Sequence, residues 1–393
     1  MQEQKVFLSG FSAGKDWRGE AAELASKMRQ GLGGRSCDLA VFFVSEAFGD
    51  LDAEALRRIL SDGLRPKCLI GCNASGVIAD DKEIEMEPAL SVLSMHLPGV
   101  KLSPFALSAA DANALQTGPE LIKFLDLYPT DNPHFLCLAD PATCDVSKAL
   151  TLFNEGYKGL PIIGGLASGG ALGVENWLVL DGGLYREGLV GVAMTGNIEF
   201  EIIVSQGCRP VGRPFVVTKA KNNVIYELAG RPALQVVQEL LQGLPPKDKA
   251  LSEEALFVGL VMNEQQSSFK RGDFLVRNLV GFDPESGALA VGALPKVGQT
   301  VQFQLRDAET STEDLEALLG KLPASGGPPR GGLLVSCCGR GKGLFGAPDH
   351  DAKMIQSLKG PLPLAGFFAN GEIGPVANKN YVHGYTSSLV IFK

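Results

Sequence analysis

Three times along the chain, an apolar run, an amphipathic stretch and a second apolar run end in the pattern G-x-x-A-[SN]-G. The first copy runs from Asp38–Val44 through Asp52–Ser61, with Leu56, Ile59 and Leu60 on one side, to Pro66–Ile70 and Gly71-Cys-Asn-Ala-Ser-Gly76. The second runs from Phe135–Ala139 through a helix near Val146–Glu155 to Leu160–Ile163 and Gly164-Gly-Leu-Ala-Ser-Gly169. The third runs from Leu333–Ser336 through Ala352–Leu358 to Pro361–Ala365 and Gly366-Phe-Phe-Ala-Asn-Gly371. Short apolar runs bounded by turn residues read as buried strands, and a 3.6-residue apolar spacing reads as a helix laid on them. Strand, helix, strand is a crossover, which makes a parallel pair and delivers successive loops to the same sheet edge. Each copy is followed by another apolar run, at Ala89–Leu97, Leu189–Thr195 and Thr386–Phe392. The repetition therefore constrains the fold to duplicated α/β units and raises the expectation that three glycine loops converge on one site. The competing reading of a single copy is a strand terminator, where Gly takes φ > 0 and small residues relieve crowding.

Between the second and third copies the texture changes. Asn176–Leu180, Val190–Met194 and Phe200–Ser205 alternate with glycine turns such as Asp181-Gly182-Gly183 and read as an antiparallel meander. Helical periodicity returns at Pro232–Leu241 before a Leu244-Pro-Pro-Lys247 turn. A strand at Phe257–Met262 and a hairpin-like series at Phe274–Val280, Ala288–Val291 and Thr300–Leu305 follow. The change at Cys208–Pro214 places a boundary between a domain of residues 1–212 and one of 213–393, and Pro323–Gly332 reads as a loop. The expected class is α/β: repeated strand-helix-strand units with glycine-rich strand-end loops, plus antiparallel meanders, in two pseudo-related domains.

Composition narrows the function. With 393 residues the chain has room for a large core, and 48 Gly beside 45% hydrophobic residues, without a Gly-X-Y period, exclude collagen and disorder. Acidic residues outnumber basic ones by 44 to 36, which argues against nucleic acid as the main partner. Met1–Trp17 is polar and no run reaches membrane-span length, so a cytoplasmic chain without a membrane partner is expected. Eight scattered Cys without a C-x-x-C pair, beside only four His, read as reduced core thiols, not a disulfide framework or zinc site.

The most unusual segment is Cys337-Cys338-Gly339-Arg340-Gly341-Lys342-Gly343, directly off a strand. Strand-end N–H groups and an Arg fork hold carboxylate or phosphate, and a neighbouring cation favours thiolate, making Cys337 or Cys338 a candidate reactive thiol. The alternative is a turn whose Arg pairs with an acid. No Cys–His pair is adjacent, so a nucleophilic enzyme is not supported by this segment alone. If the loops converge, Asn73, Ser75, Gly76, Ser168, Gly169, Asn370 and Gly371 line the site, and Glu372 binds an amine or pairs with Arg340. Arg306-Asp307 offers opposite charges at a strand end, either as a structural turn or facing a polar ligand. His383 is a hydrogen-bonded core or surface residue in preference to a haem ligand. Nucleotide signatures fail: Gly10-Phe-Ser-Ala-Gly14-Lys15-Asp16 is one residue short of a P-loop, with Asp16 at the hydroxyl position. No G-x-G-x-x-G dinucleotide loop follows a strand, and G-x-x-x-S-G is not a hydrolase elbow. No cofactor is expected.

Taken together these stretches resemble the FIST family, a FIST N-terminal domain followed by a FIST C-terminal domain. The resemblance is carried by Asp38–Ser45, Leu69–Val77, Pro161–Gly169, Gly272–Asn278, Gly298–Asp307, Cys337–Gly341, Gly371–Pro375 and His383-Gly-Tyr-Thr386. It implies a sensory, signal-transduction module for a small polar ligand, amino acids among the suggested classes, with a protein partner to receive the signal and no output segment of its own. It also implies two alternatives. Some bacterial members bind haem and sense nitric oxide, and a eukaryotic member uses the Cys matching Cys337 in recognising electrophiles. The chain is thus expected to be a binding protein in preference to an enzyme, with a thiol enzyme or redox switch centred on Cys337, or a haem gas sensor, as the competing readings.

Overall fold

The computed structural model of the protein describes residues 4–170, 175–322 and 327–393. The first residues of Met1–Trp17 and the 323–326 portion of the Pro323–Gly332 loop lie outside the described residues. The chain divides into one compact unit of Met1–Val204, Ala317–Val382 and Thr386–Lys393 and a second of Ser205–Glu316 with His383–Tyr385.

All three crossovers belong to the first unit. Leu39–Ser45 pairs in parallel with Cys68–Ala74, His134–Ala139 with Ile162–Leu166, and Gly331–Cys337 with Leu364–Ala369. The helices between them start where the sequence supplies a cap. Asp52 accepts from Ala55 N ahead of Ala53–Leu64, which buries Leu56, Leu60 and Leu64, and Asp145 accepts from Lys148 N ahead of Val146–Gly156. The third helix, His350–Lys359, lacks a local cap; its Ala352 N–H donates to Glu83 Oε1 at 2.9 Å, while Asp349 accepts from Glu83 N at 2.8 Å.

Each crossover sits inside its own six-stranded sheet. The later apolar run of each copy returns antiparallel to the first strand of its own crossover: Ala89–His96, Leu189–Gly196 and Thr386–Phe392. The short strand just after each glycine motif instead leaves home. Gly76–Ala79 pairs with Leu364–Ala369 of the third sheet, Glu372–Val376 with Ile162–Leu166 of the second, and Leu178–Leu180 with Cys68–Ala74 of the first. The three exchanges close a ring, and side chains from all three sheets, among them Val41, Leu138, Val335 and Phe367, share one buried cluster. Phe43 and Phe367 stack there with ring centroids 4.4 Å apart.

The glycine motif begins inside the strand, not after it. A Cβ on Gly71, Gly164 or Gly366 would lie 2.4, 1.8 or 1.9 Å from the carbonyl oxygen of Phe42, Cys137 or Leu334, in each case the residue paired with it across the crossover. The first glycine of each copy thus permits close approach of two parallel strands, and only the last residues of the motif form the strand-end loop.

The meander expected over residues 176–205 is corrected. Leu178–Leu180 and Gly183–Tyr185 do form a hairpin, but Leu178–Leu180, Leu189–Gly196 and Phe200–Gln206 belong to three different sheets. Alternation fixes which face of a strand is buried, and the choice of sheet is a long-range decision it cannot encode. In the second unit the hairpin series holds: Thr300–Arg306, Leu256–Val261, Phe274–Asp283 and Ala288–Val291 are successive neighbours in a seven-stranded sheet. Cys208–Lys221 pairs with both Thr300–Arg306 and Val224–Leu228, closing that sheet into a barrel around Val217, Ile225 and Phe303.

Candidate functional site

The tips of the three repeats meet in the first unit. Ser168 Oγ accepts from Ser75 N at 2.9 Å and donates to the Phe368 carbonyl. Asn370 N donates to Leu166 O at 3.1 Å, Leu166 N to Gly371 O at 2.9 Å, and Cys338 N to Ala369 O at 3.0 Å. Ser75 Oγ lies 3.3 Å from Cys338 Sγ. Above this junction opens a cavity of about 530 Å³, lined by Ser75, Pro141, Ala142, Ala167, Ser168, Gly170, Asn176, Cys338 and Asn370. Its size suits a small metabolite.

Asn176, which sequence reasoning missed, supplies the most exacting polar group. Its Nδ2 donates to Asp140 Oδ1 at 2.9 Å, and Asp140, itself buried, also accepts from Thr143 Oγ1 and Ala142 N. Among the described residues the buried Asn176 Oδ1 has no hydrogen-bond partner, which leaves an acceptor for an N–H or O–H. For Pro141 and Ala142, also missed, the signal available in sequence was positional: they follow the first strand of the second crossover as Cys338 follows that of the third.

The remaining candidates hold the junction in place. Asn73 donates to Glu175 O at 3.1 Å and accepts from Trp177 N at 2.9 Å, pinning the incoming strand. A Cβ on Gly169 would lie 2.4 Å from Asn73 Nδ2, and one on Gly76 would lie 2.7 Å from Ile84 O. Gly371 takes φ +133°. Gly339 N donates to Cys337 Sγ at 3.4 Å, and Gly341 turns at φ +68° to let Lys342 N reach Glu85 Oε1 at 2.7 Å.

Arg340 is 1% exposed, and the carboxylate it grips belongs to its own chain. Nε and Nη2 meet the two Asp351 oxygens at 2.7 and 2.9 Å, a buried fork-to-fork pair, while the buried Nη1 has no hydrogen-bond partner among the described residues. Arg340 beside it holds the Asp351 carboxyl well below the usual range, against the opposing pull of burial. Glu372 is fully buried and accepts from Thr386 N at 3.1 Å and Thr386 Oγ1 at 2.6 Å. Burial pushes its carboxyl up to about 8, opposed by those hydrogen bonds, by the Arg340 charge and by a hydrogen bond with Cys337. Cys337 is half-buried in this setting and Cys338 is exposed, whereas Cys37, Cys68, Cys72, Cys137, Cys144 and Cys208 are buried, and all eight are free thiols. Desolvation raises the Cys338 thiol above its ordinary value, although bonds with Ser75 and Ser168 pull the other way.

Arg306, Asp307 and His383 belong to the second unit. The Arg306 guanidinium lies over the rings of Tyr385 and Phe257, 5.0 and 5.6 Å from their centroids. Asp307 accepts from Thr310 N at 2.7 Å and Arg209 Nε at 3.0 Å. His383 is 2% exposed. Among the described residues no group of three or more His, Cys, Asp or Glu could hold a metal ion, and no helix is long and apolar enough to cross a membrane.

The architecture is mixed α/β, with three crossover sheets in one unit and a barrel in the other. The FIST N domain profile matches residues 38–231 and the FIST C domain profile residues 233–375, so the chain belongs to the FIST family, whose domains generally serve sensing and signal transduction. An uncharacterized protein of Mycobacterium tuberculosis is 39% identical over 384 residues, covering 98% of both chains. One from Mycobacterium bovis is 38% identical over 96% of each. A more distant uncharacterized protein of Methanocaldococcus jannaschii is 22% identical over 73% of this chain and 55% of its own.

Proposed function

We propose that this chain is a cytoplasmic sensory protein that holds a small polar ligand of amino-acid size between the three repeat tips and signals its presence to a protein partner. The observation that carries the reading is the convergence of Ser75, Ser168, Asn370 and Cys338 on one cavity of about 530 Å³ whose lining also includes Asn176, with a buried Oδ1 that has no hydrogen-bond partner among the described residues. The hydroxyls and amides give a ligand both donors and acceptors, and Asn176 Oδ1 suits an amine. Arg340 and Glu372, singled out in sequence as the carboxylate and amine holders, are not in the cavity lining: one is committed to Asp351, the other to Thr386. Titration calorimetry with a panel of free amino acids and small amines tests the reading. Binding of at least one member, weakened tenfold or more by Asn176→Ala, is expected. Full affinity in Asn176→Ala combined with Ser168→Ala would place the ligand elsewhere, and no binding across the panel would remove the ligand class.

A further inference from the structure

Each six-stranded sheet of the first unit ends on two edge strands, and an unpaired edge is a template for another strand unless charge, proline or brevity blunts it. Five of the six described edges are blunted. Lys82–Glu85, Phe200–Gln206 and Lys379–His383 carry charged residues, Val100–Leu107 carries Lys101 and Pro104, and Gly183–Tyr185 is three residues long. The sixth, Val6–Ala13, is eight residues long and reads VFLSGFSA, with neither charge nor proline. It pairs in unbroken antiparallel register with Ala89–His96 on one side and is last in its sheet on the other.

The chemistry beside this edge is continuous with it. Phe7 enters the core and stacks on Phe392 at 5.2 Å. Two residues on, Ser9 donates to Asp80 and lines an open cleft of about 820 Å³ walled by Pro361, Leu362 and Pro363. Two further, Phe11 stands 40% exposed on the same face of the strand. The cleft also carries both signs of charge, with the Asp81 and Lys353 side chains 54% and 55% exposed.

We propose that Val6–Ala13 pairs antiparallel with the same strand of a second copy, joining two sheets across a two-fold axis. A two-fold interface must be self-complementary. An uncharged strand meets its own copy without like-charge repulsion, and a cleft bearing Asp81 and Lys353 offers its copy the opposite charge for each. Phe11 of each protomer is the apolar side chain available to the other's Pro361 and Pro363. Eight residues span about 27 Å, room for a hydrogen-bond ladder as long as a typical interior strand pair.

Sedimentation velocity of the full chain tests this. The expected result is a species of twice the chain mass that Phe11→Lys converts to monomer, while Phe124→Lys, at a 44% exposed position on the Gly118–Leu125 helix, leaves it intact. Amide exchange over residues 6–13 of the unaltered chain should slow as concentration rises. A monomer at all concentrations, a Phe11→Lys variant that still dimerises, or exchange independent of concentration would overturn the proposal.

Discussion

At the residue scale the site is governed by a few buried charges. Arg340 and Asp351 are both about 1% exposed, so removing one partner strands the other's charge in the interior. Asp351→Ala is expected to cost about 3–5 kcal/mol, whereas replacing the pair together, Arg340→Met with Asp351→Leu, should recover most of the loss. Urea unfolding of the three proteins decides, and equal losses for single and double variants would contradict the pairing. Glu372 and Glu83 are both pushed up to about 8, chiefly by burial, from an ordinary 4.5. Between those values the folded protein keeps protons that the unfolded chain has released, so stability falls as pH rises from 4.5 towards 8. Asp351, held low, acts in the opposite sense: its contribution is present above the ordinary Asp value of 3.8 and is lost in stronger acid. The melting temperature should therefore peak in mild acid and decline to alkaline pH, and Glu372→Gln should flatten the decline. An unchanged pH profile in that variant would show that Glu372 does not titrate in this range. The Cys338 thiol, raised above its ordinary 9.0, should alkylate slowly at neutral pH and accelerate as pH climbs; fast, pH-independent labelling would show that desolvation does not keep it protonated. Sequence made Arg340, Glu372 and the cysteines visible as chemistry. It did not show that Asp351, eleven residues on, would take up the guanidinium, because a carboxylate on the exposed-looking start of a helix carries no mark of burial.

At the element scale, the three crossovers were legible because each repeats the same change of period, from short apolar runs to 3.6-residue spacing and back. Their helices begin and end close to where periodicity puts them, and Thr386–Phe392 is a strand over the residues its apolar run spans. Of the short strands after the glycine motifs, Leu178–Leu180 lies within the Asn176–Leu180 run read as a strand but its sheet was not legible, and Gly76–Ala79 and Glu372–Val376 were not read as strands. Gly76–Ala79, Leu178–Leu180 and Glu372–Val376 are three to five residues long, and each is stabilised by a partner more than 90 residues away in sequence. The glycines themselves separate into two kinds. A Cβ on Gly366 would lie 1.9 Å from Leu334 O, while one on Gly343 would have nothing within 4 Å. Gly366→Ala should destabilise by about 3 kcal/mol or more through forced separation of the parallel pair. Gly343→Ala should lie within about 0.5 kcal/mol of the unaltered protein. Equal effects in denaturant titrations would mean that the repeat glycines serve only as turns.

At the scale of the whole molecule, the ring of exchanged strands makes the three crossovers depend on one another. Gly76–Ala79 has its sheet partner in Leu364–Ala369, and Glu372–Val376 is the strand laid against Ile162–Leu166. The shared cluster mixes Val41, Phe43, Leu138 and Ile163 with Leu333, Val335, Phe367 and Phe392. A chain ending near residue 212, the boundary that changing texture suggests, would expose this face of the core and leave the Glu83 carboxylate without the Ala352 N–H it accepts from. Such a 1–212 fragment should retain helix and strand signal in far-ultraviolet circular dichroism yet bind a hydrophobic dye and lose its near-ultraviolet signal, the behaviour of a chain with secondary structure but unfixed packing. Supplying residues 317–393 as a second polypeptide should restore a sharp unfolding transition, because the missing sheet and its returning strands then complete the ring. A sharp, cooperative transition of the 1–212 fragment alone would show that two crossovers are enough, and the mutual dependence argued from the strand exchange would fall with it.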